Sequence, residues 1–179
     1  MRKRVILFIA VFTALVFAEA RPAFQAGDHN LGFGFAFGWS EGLGAAVAWD
    51  IGVSDIISIG VGVDWTQETE TLGTWLLNLG ERRNRYLTPV VRCAFHLFSI
   101  PKLAANESLS KHDIYFGART GPRFRWWQTE HLGIVLQEGS GGSFVFDVMA
   151  GYRFHFSDAA HLWVETGGRR SVVGVGFKF

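Results

Sequence analysis

Ser171-Val-Val-Gly-Val-Gly-Phe-Lys-Phe179 ends the chain, and its alternation decides the fold. Successive side chains of an extended strand point to opposite faces. Val173, Val175, Phe177 and Phe179 therefore share one face, while Val172, Gly174, Gly176 and Lys178 share the other. One side is bulky and apolar, and the other is mostly small. Upstream, Leu31, Phe33, Phe35, Phe37 and Trp39 alternate with Gly32, Gly34, Ala36 and Gly38 without a break. A period of two held this long is a strand signal.

Working back from these two stretches, the same pattern recurs. Strands are predicted at about 30–40, 43–53, 57–66, 86–98, 113–127, 144–156, 161–166 and 171–179, eight in all. Pro89 and Pro122 interrupt two of them and argue for a bulge or a strand end, since proline cannot donate to a ladder. The polar stretches 67–85 and 128–143 are predicted as long loops, although Ile134-Val-Leu136 could prolong a strand. Numbering turns from the N-terminus puts 40–42, 67–85, 128–143 and 167–170 at one end. The turns 54–56, 99–112 and 157–160 fall at the other end. Trp75-Leu-Leu77, inside the longest loop, is a candidate for docking on a partner or on lipid headgroups.

The bulky face carries no charge in the clearest strands, and the opposite face is too bland to meet water. A soluble barrel such as a lipocalin would need the reverse. Small residues instead suit the narrow lumen of an eight-stranded barrel, and the greasy face suits lipid. Trp39, Trp49, Trp65 and Trp126 lie near strand ends, where aromatic girdles sit. No run outside the N-terminus reaches the roughly 18 apolar residues of a spanning helix. The expected fold is therefore all-β, an eight-stranded antiparallel up-and-down transmembrane β-barrel. Gly, at 22 residues, and aromatics, at 15%, fit its small and large faces. Cys93 stands alone, which excludes an internal disulfide, and reads as a small buried or lipid-facing residue.

At the N-terminus, Arg2-Lys-Arg4 precedes the apolar segment Val5–Phe17 and then Ala18-Glu-Ala20. This is the pattern of a secretory signal, with an A-x-A cleavage site at Ala18 and Ala20. Residues 1–20 are expected to be removed, leaving 21–179 as the barrel domain. That removal takes away Arg2, Lys3, Arg4 and Glu19, so the net charge falls from +1 to −1. No basic field remains to attract nucleic acid.

The charges that remain in the strands gather on the small face. They are Asp50, Asp64, Arg92, Arg119, Arg123, Arg125, Asp147, Arg153, Glu165 and Lys178. In so thin a lumen they should pair with one another, because an unpaired buried charge is costly. The alternative is an anion path along the arginines of the fifth strand. The six histidines show no metal-ligand spacing and are expected at turns and rims. No cofactor and no catalytic centre is expected.

The terminal aromatic strand and the lopsided alternation resemble small bacterial outer-membrane barrels of the OmpA, OmpX and OmpW kind. In that class the last strand closes the barrel and carries the assembly signal, here Val173, Val175, Phe177 and Phe179. The resemblance implies the bacterial outer membrane, a structural or surface-contact role, and outer-membrane lipid and the barrel-assembly machinery as partners. It also implies a monomer and an extracellular or host ligand reached through 67–85 and 128–143. A second resemblance is to lipid A deacylases, which use a His-x-Ser pair and a Glu. His155-Phe-Ser157 and Glu165 fit in part, but Asp158 stands where that motif has Asn, and the turn numbering puts the pair at the periplasmic end.

Overall fold

The computed structural model describes residues 23–38, 42–74, 77–97, 99, 111–132 and 134–179, with 73, 74 and 77–79 as backbone only. Among these, eight strands follow one another: β1 (His29–Gly38), β2 (Gly42–Ser54), β3 (Ile57–Thr74), β4 (Leu77–His96), β5 (His112–His131), β6 (Ile134–Ser157), β7 (Ala160–Gly167) and β8 (Ser171–Lys178). Each pairs antiparallel with the next, and β8 returns to β1 from Asn30↔Lys178 to Phe37↔Ser171. The ring is closed, as a spanning sheet requires where lipid offers no hydrogen bonds.

The alternation assigns the two surfaces correctly. Phe33, Val61, Phe146, Val173 and their neighbours point outward and are exposed, Phe146 at 67%. Soluble monomers rarely expose a continuous apolar surface of this kind, and a bilayer accounts for it. Inward, Ala36, Ala46, Ala48 and Val172 of β1, β2 and β8 pack around Trp163 of β7. A second cluster joins Ala94, Tyr115 and Met149. The lumen is thus filled unevenly: small residues on one wall leave room for rings from the other. A Cβ on Gly32 would lie 2.7 Å from the Trp163 ring, and one on Gly151 would collide with the Tyr115 ring.

Two expectations change. Residues 67–85 and 128–143 are strand rather than loop over their described parts, apart from the turn at Leu132. β3 runs on past Leu43↔Gln67, its last pair with β2, and continues on β4 to Thr74↔Leu77. β6 departs from β7 at Met149↔Gly167 and continues on β5 to His131↔Ile134. β3, β4, β5 and β6 therefore rise beyond the low rim as a four-stranded blade. A tilted strand crosses a bilayer in about 9–11 residues, and β6 has 24, so the excess stands clear of the belt.

The second change concerns the prolines. β5 neither ends nor bulges at Pro122, and pairing with β6 continues through Pro122↔Phe144. The effect falls on the other side. The β4–β5 ladder lapses between Leu87↔Phe124 and Val91↔Thr120, and that register sets Pro89 opposite Pro122. Two residues without N–H donors leave nothing to bridge the strands there. Ala18, Ala20, Trp39, Trp75, Leu76 and most of 99–112 lie outside the described residues.

Candidate functional site

Alternation turns every second residue of β2–β7 into the lumen, and seven of the ten charges expected there join one ion-paired chain. Arg92 on β4 is the hub. Its Nε lies 2.8 Å from Asp50 Oδ1, and its Nη2 donates to Glu165 Oε2 at 2.6 Å. Asp50 also accepts from Arg153, which sits 3.6 Å from Asp113. Arg119 donates to Asp64 and to Asp147, each at 2.8 Å. The sign alternates from Asp113 through Arg153, Asp50, Arg92 and Glu165, then through Arg170, Asp64 and Arg119 to Asp147. Each charge in this chain is at most 6% exposed, so the pairs offset one another's desolvation.

Arg170 is the link that joins the two halves, through Asp64 and, at 3.5 Å, Glu165. The pattern of the sequence places it in the turn at 167–170. Its parity with Val172, Gly174 and Gly176 was the available signal, because a turn residue one step from a strand keeps that strand's facing. Asp113, the second residue of β5, was missed as well, although it shares parity with Tyr115 and Arg119. Neutral donors complete the shell: Tyr115 Oη donates to Glu165 at 2.8 Å, and Trp163 Nε1 donates to Tyr115 at 2.9 Å.

The other three expected charges sit away from this chain's hub. Arg123 lies over the Tyr86 ring at 4.1 Å, and Arg125 donates to Asn84 Oδ1 at 2.8 Å. Both belong to the blade end of the lumen. Lys178 lies 3.2 Å from Asp28 at the opposite mouth. The side chains of Val173, Val175, Phe177 and Phe179 point outward. Phe179 exchanges backbone hydrogen bonds of 3.0 Å with His29, whose ring stacks on it.

Three histidines expected at turns and rims are instead inside the barrel. His96 is fully buried, with Nδ1 2.8 Å from Asp113 and Nε2 2.9 Å from Ser58 Oγ. The order Ser–His–Asp is that of a nucleophile triad. Phe24, however, lies flat on the imidazole at 3.6 Å, and Ser58 is 1% exposed, so no acyl group reaches it in this arrangement. Short polar residues next to a ring held by a carboxylate make a satisfied layer of the core. His155 and His161 face each other across β6 and β7 at 4.8 Å.

The deacylase-like pattern is not assembled. His155 and Ser157 both point into the lumen, and neither His155 Nε2 nor Ser157 Oγ has a hydrogen-bond partner among the described residues. Glu165 pairs with Gly151, four residues along β6 from His155, and is held by Arg92 and Tyr115. No group of His, Cys, Asp or Glu among the described residues could hold a metal ion.

No protein-family model and no curated protein matches the sequence. Solved structures match the fold. Ail, the attachment invasion locus protein of Yersinia pestis, solved with the heparin analogue sucrose octasulfate, aligns at TM-score 0.57 and 10% identity over 87% of this chain and all of its own. The outer-membrane protein OprG of Pseudomonas aeruginosa aligns at 0.57 and 10% over 88% and 98%. The N-terminal barrel domain of Pseudomonas aeruginosa OprF aligns at 0.53 and 11% over 87% and 98%. The chain thus has the fold of the small bacterial outer-membrane barrels.

Proposed function

We propose that this chain is a monomeric barrel of a bacterial outer membrane, exported by a cleaved signal over residues 1–20 and inserted by the barrel-assembly machinery. Its work is surface contact, done by the blade. The observation that carries this reading is the four-stranded sheet rising beyond the rim on β3–β6. Along the blade part of β6, residues 134–143 have no strand on their outer side, so backbone donors and acceptors are open to a partner strand. The barrel beneath is a rigid base, and exposed segments on rigid bases are where such proteins carry function. Ail's attachment role supports the reading by analogy of fold alone.

The alternating ion chain plugs the lumen in this proposal. An eight-stranded barrel has an interior just wide enough for its side chains, and here they are large and paired. The protein is then silent in planar bilayers, and stepwise conductance would defeat the plug. The surface role is tested by shortening the blade. Residues 69–80 and 131–137 are each replaced by a two-residue turn in cells. Heat-modifiable gel mobility should persist, showing a folded barrel, while adhesion to host cells or matrix is lost. Undiminished adhesion by the shortened barrel defeats the surface-contact reading.

A further inference from the structure

We propose that the outward face of β4 and β5 holds one outer-leaflet lipid, with its phosphate on Arg83 and Arg85 and an acyl chain in the groove over Pro89 and Pro122. This rests on the outer-membrane reading and deepens it. Down β4 the outward residues run Arg83, Arg85, Leu87, Pro89, Val91, Cys93. Down β5 they run Gln128, Trp126, Phe124, Pro122, Thr120, Ala118. Charge on β4 and the Gln128 amide on β5 give way to hydrocarbon within one step, which is where lipid headgroups lie. Arg83 and Arg85 are the outward-facing basic residues of the described strands, so positive charge at this boundary is confined to one strand.

The space matches a lipid. A cavity of about 400 Å³ is lined by Arg83, Arg85, Trp126, Gln128, Glu138 and Ser140 among others. Arg85 makes no ion pair or hydrogen bond among the described residues. Arg83 reaches Glu130 only at 3.7 Å and Glu81 at 4.0 Å, exposed contacts that an incoming phosphate can displace. Arginine suits this role because its planar fork grips phosphate with two parallel donors. Below, past the row of Leu87 and Phe124, lies a second hollow of about 580 Å³ floored by Val91, Thr120, Pro89 and Pro122 and walled by Trp49 and Phe144. Its floor is small and flat between the rings of Trp49 and Phe144. The absent ladder at the two prolines removes nothing that an acyl chain would need. Charge above an apolar trough matches an anionic lipid better than a second barrel, which would put its own wall there and bring no phosphate to Arg85.

The test is native mass spectrometry of the full chain in detergent, titrated with bisphosphorylated lipid A and with the same lipid A stripped of phosphate. The wild type should retain one bisphosphorylated lipid, at least tenfold more than the stripped form. The Arg83→Ala/Arg85→Ala variant should lose that preference, while Arg169→Ala, on the β7–β8 turn, keeps it. Thr120→Trp, which fills the trough, should weaken retention of both lipids. Equal retention of the two lipids, or unchanged retention by the double variant, overturns the proposal. So does a lipid-free dimer dispersed by Thr120→Trp, which would assign the groove to a second copy. Failure of the outer-membrane reading would look different: protein recovered without detergent and lacking heat-modifiable mobility.

Discussion

Arg92 and Arg83 stand nine residues apart on β4, on opposite faces of the same strand. Arg92 is buried and held at 2.6 and 2.8 Å by two carboxylates that are themselves buried. Arg83 reaches its carboxylates at 3.7 and 4.0 Å with its side chain 44% exposed. The residue type and strand are the same, but the surroundings differ. In the lumen, water cannot replace a lost partner, so the ion chain holds the barrel wall to itself. On the blade, water or a ligand can take over either charge at little cost, so the blade's charges are available for recognition.

The sharpest way to break this comparison is Arg92→Ala. Asp50 and Glu165 would be left buried with fewer donors, although Arg153, Arg170 and Tyr115 still reach them. Removing one partner of a buried pair costs about 3–5 kcal/mol, and those remaining donors put this variant near the lower end. Urea unfolding in lipid vesicles, followed by tryptophan fluorescence, should show the loss. An unchanged midpoint would mean that water reaches the lumen. Next in size is Val61→Arg on the outer wall. Val61 sits half-exposed in the apolar belt, and a cation at mid-bilayer depth costs about 2–4 kcal/mol. The same assay should report it, and a neutral result would place this row outside the hydrocarbon.

Gly151→Val comes third. Its new side chain would enter the space of the Tyr115 ring, which holds Glu165 and accepts from Trp163. Overpacking typically costs about 1–3 kcal/mol. Gly141→Val, with open space around it on β6, should be nearly silent. The contrast between the two glycines tests whether the lumen wall is small because large rings fill it from the opposite side.

The belt and the lumen were legible because lipid on one face and a packed interior on the other impose a period of two on the residues. Phe33 and Gly32, or Val173 and Val172, cannot trade places without putting bulk into a full lumen. The blade was not legible for the converse reason. Water wets both of its faces, so Glu68-Thr-Glu-Thr71 and Gln137–Ser143 carry no hydrophobic alternation, and their strand state comes from neighbours that the register brings alongside. Arg170 and Asp113 were missed because they sit at or beside turns, and His96, which the alternation of the fourth strand faces inward with Arg92, was still expected at a rim. There composition suggests solvent, but facing is inherited from the adjoining strand. Pro89 and Pro122 were noticed singly, and only the register of β4 against β5 shows that they meet.

The smallest expected effect is the most informative about the blade. Arg83→Ala removes two long, exposed ion pairs, and such pairs contribute about 0–1 kcal/mol. Its unfolding midpoint should match wild type within error, and raising the salt should leave both equally stable, since screening acts on contacts that contribute little already. A loss as large as that of Arg92→Ala would mean that Arg83, Glu81 and Glu130 clamp the blade as the ion chain clamps the lumen. The comparison would then collapse into one mechanism. If stability is untouched while retention of phosphorylated lipid falls, the two arginines of β4 divide their work by facing alone: one holds the fold, and the other meets what lies outside it.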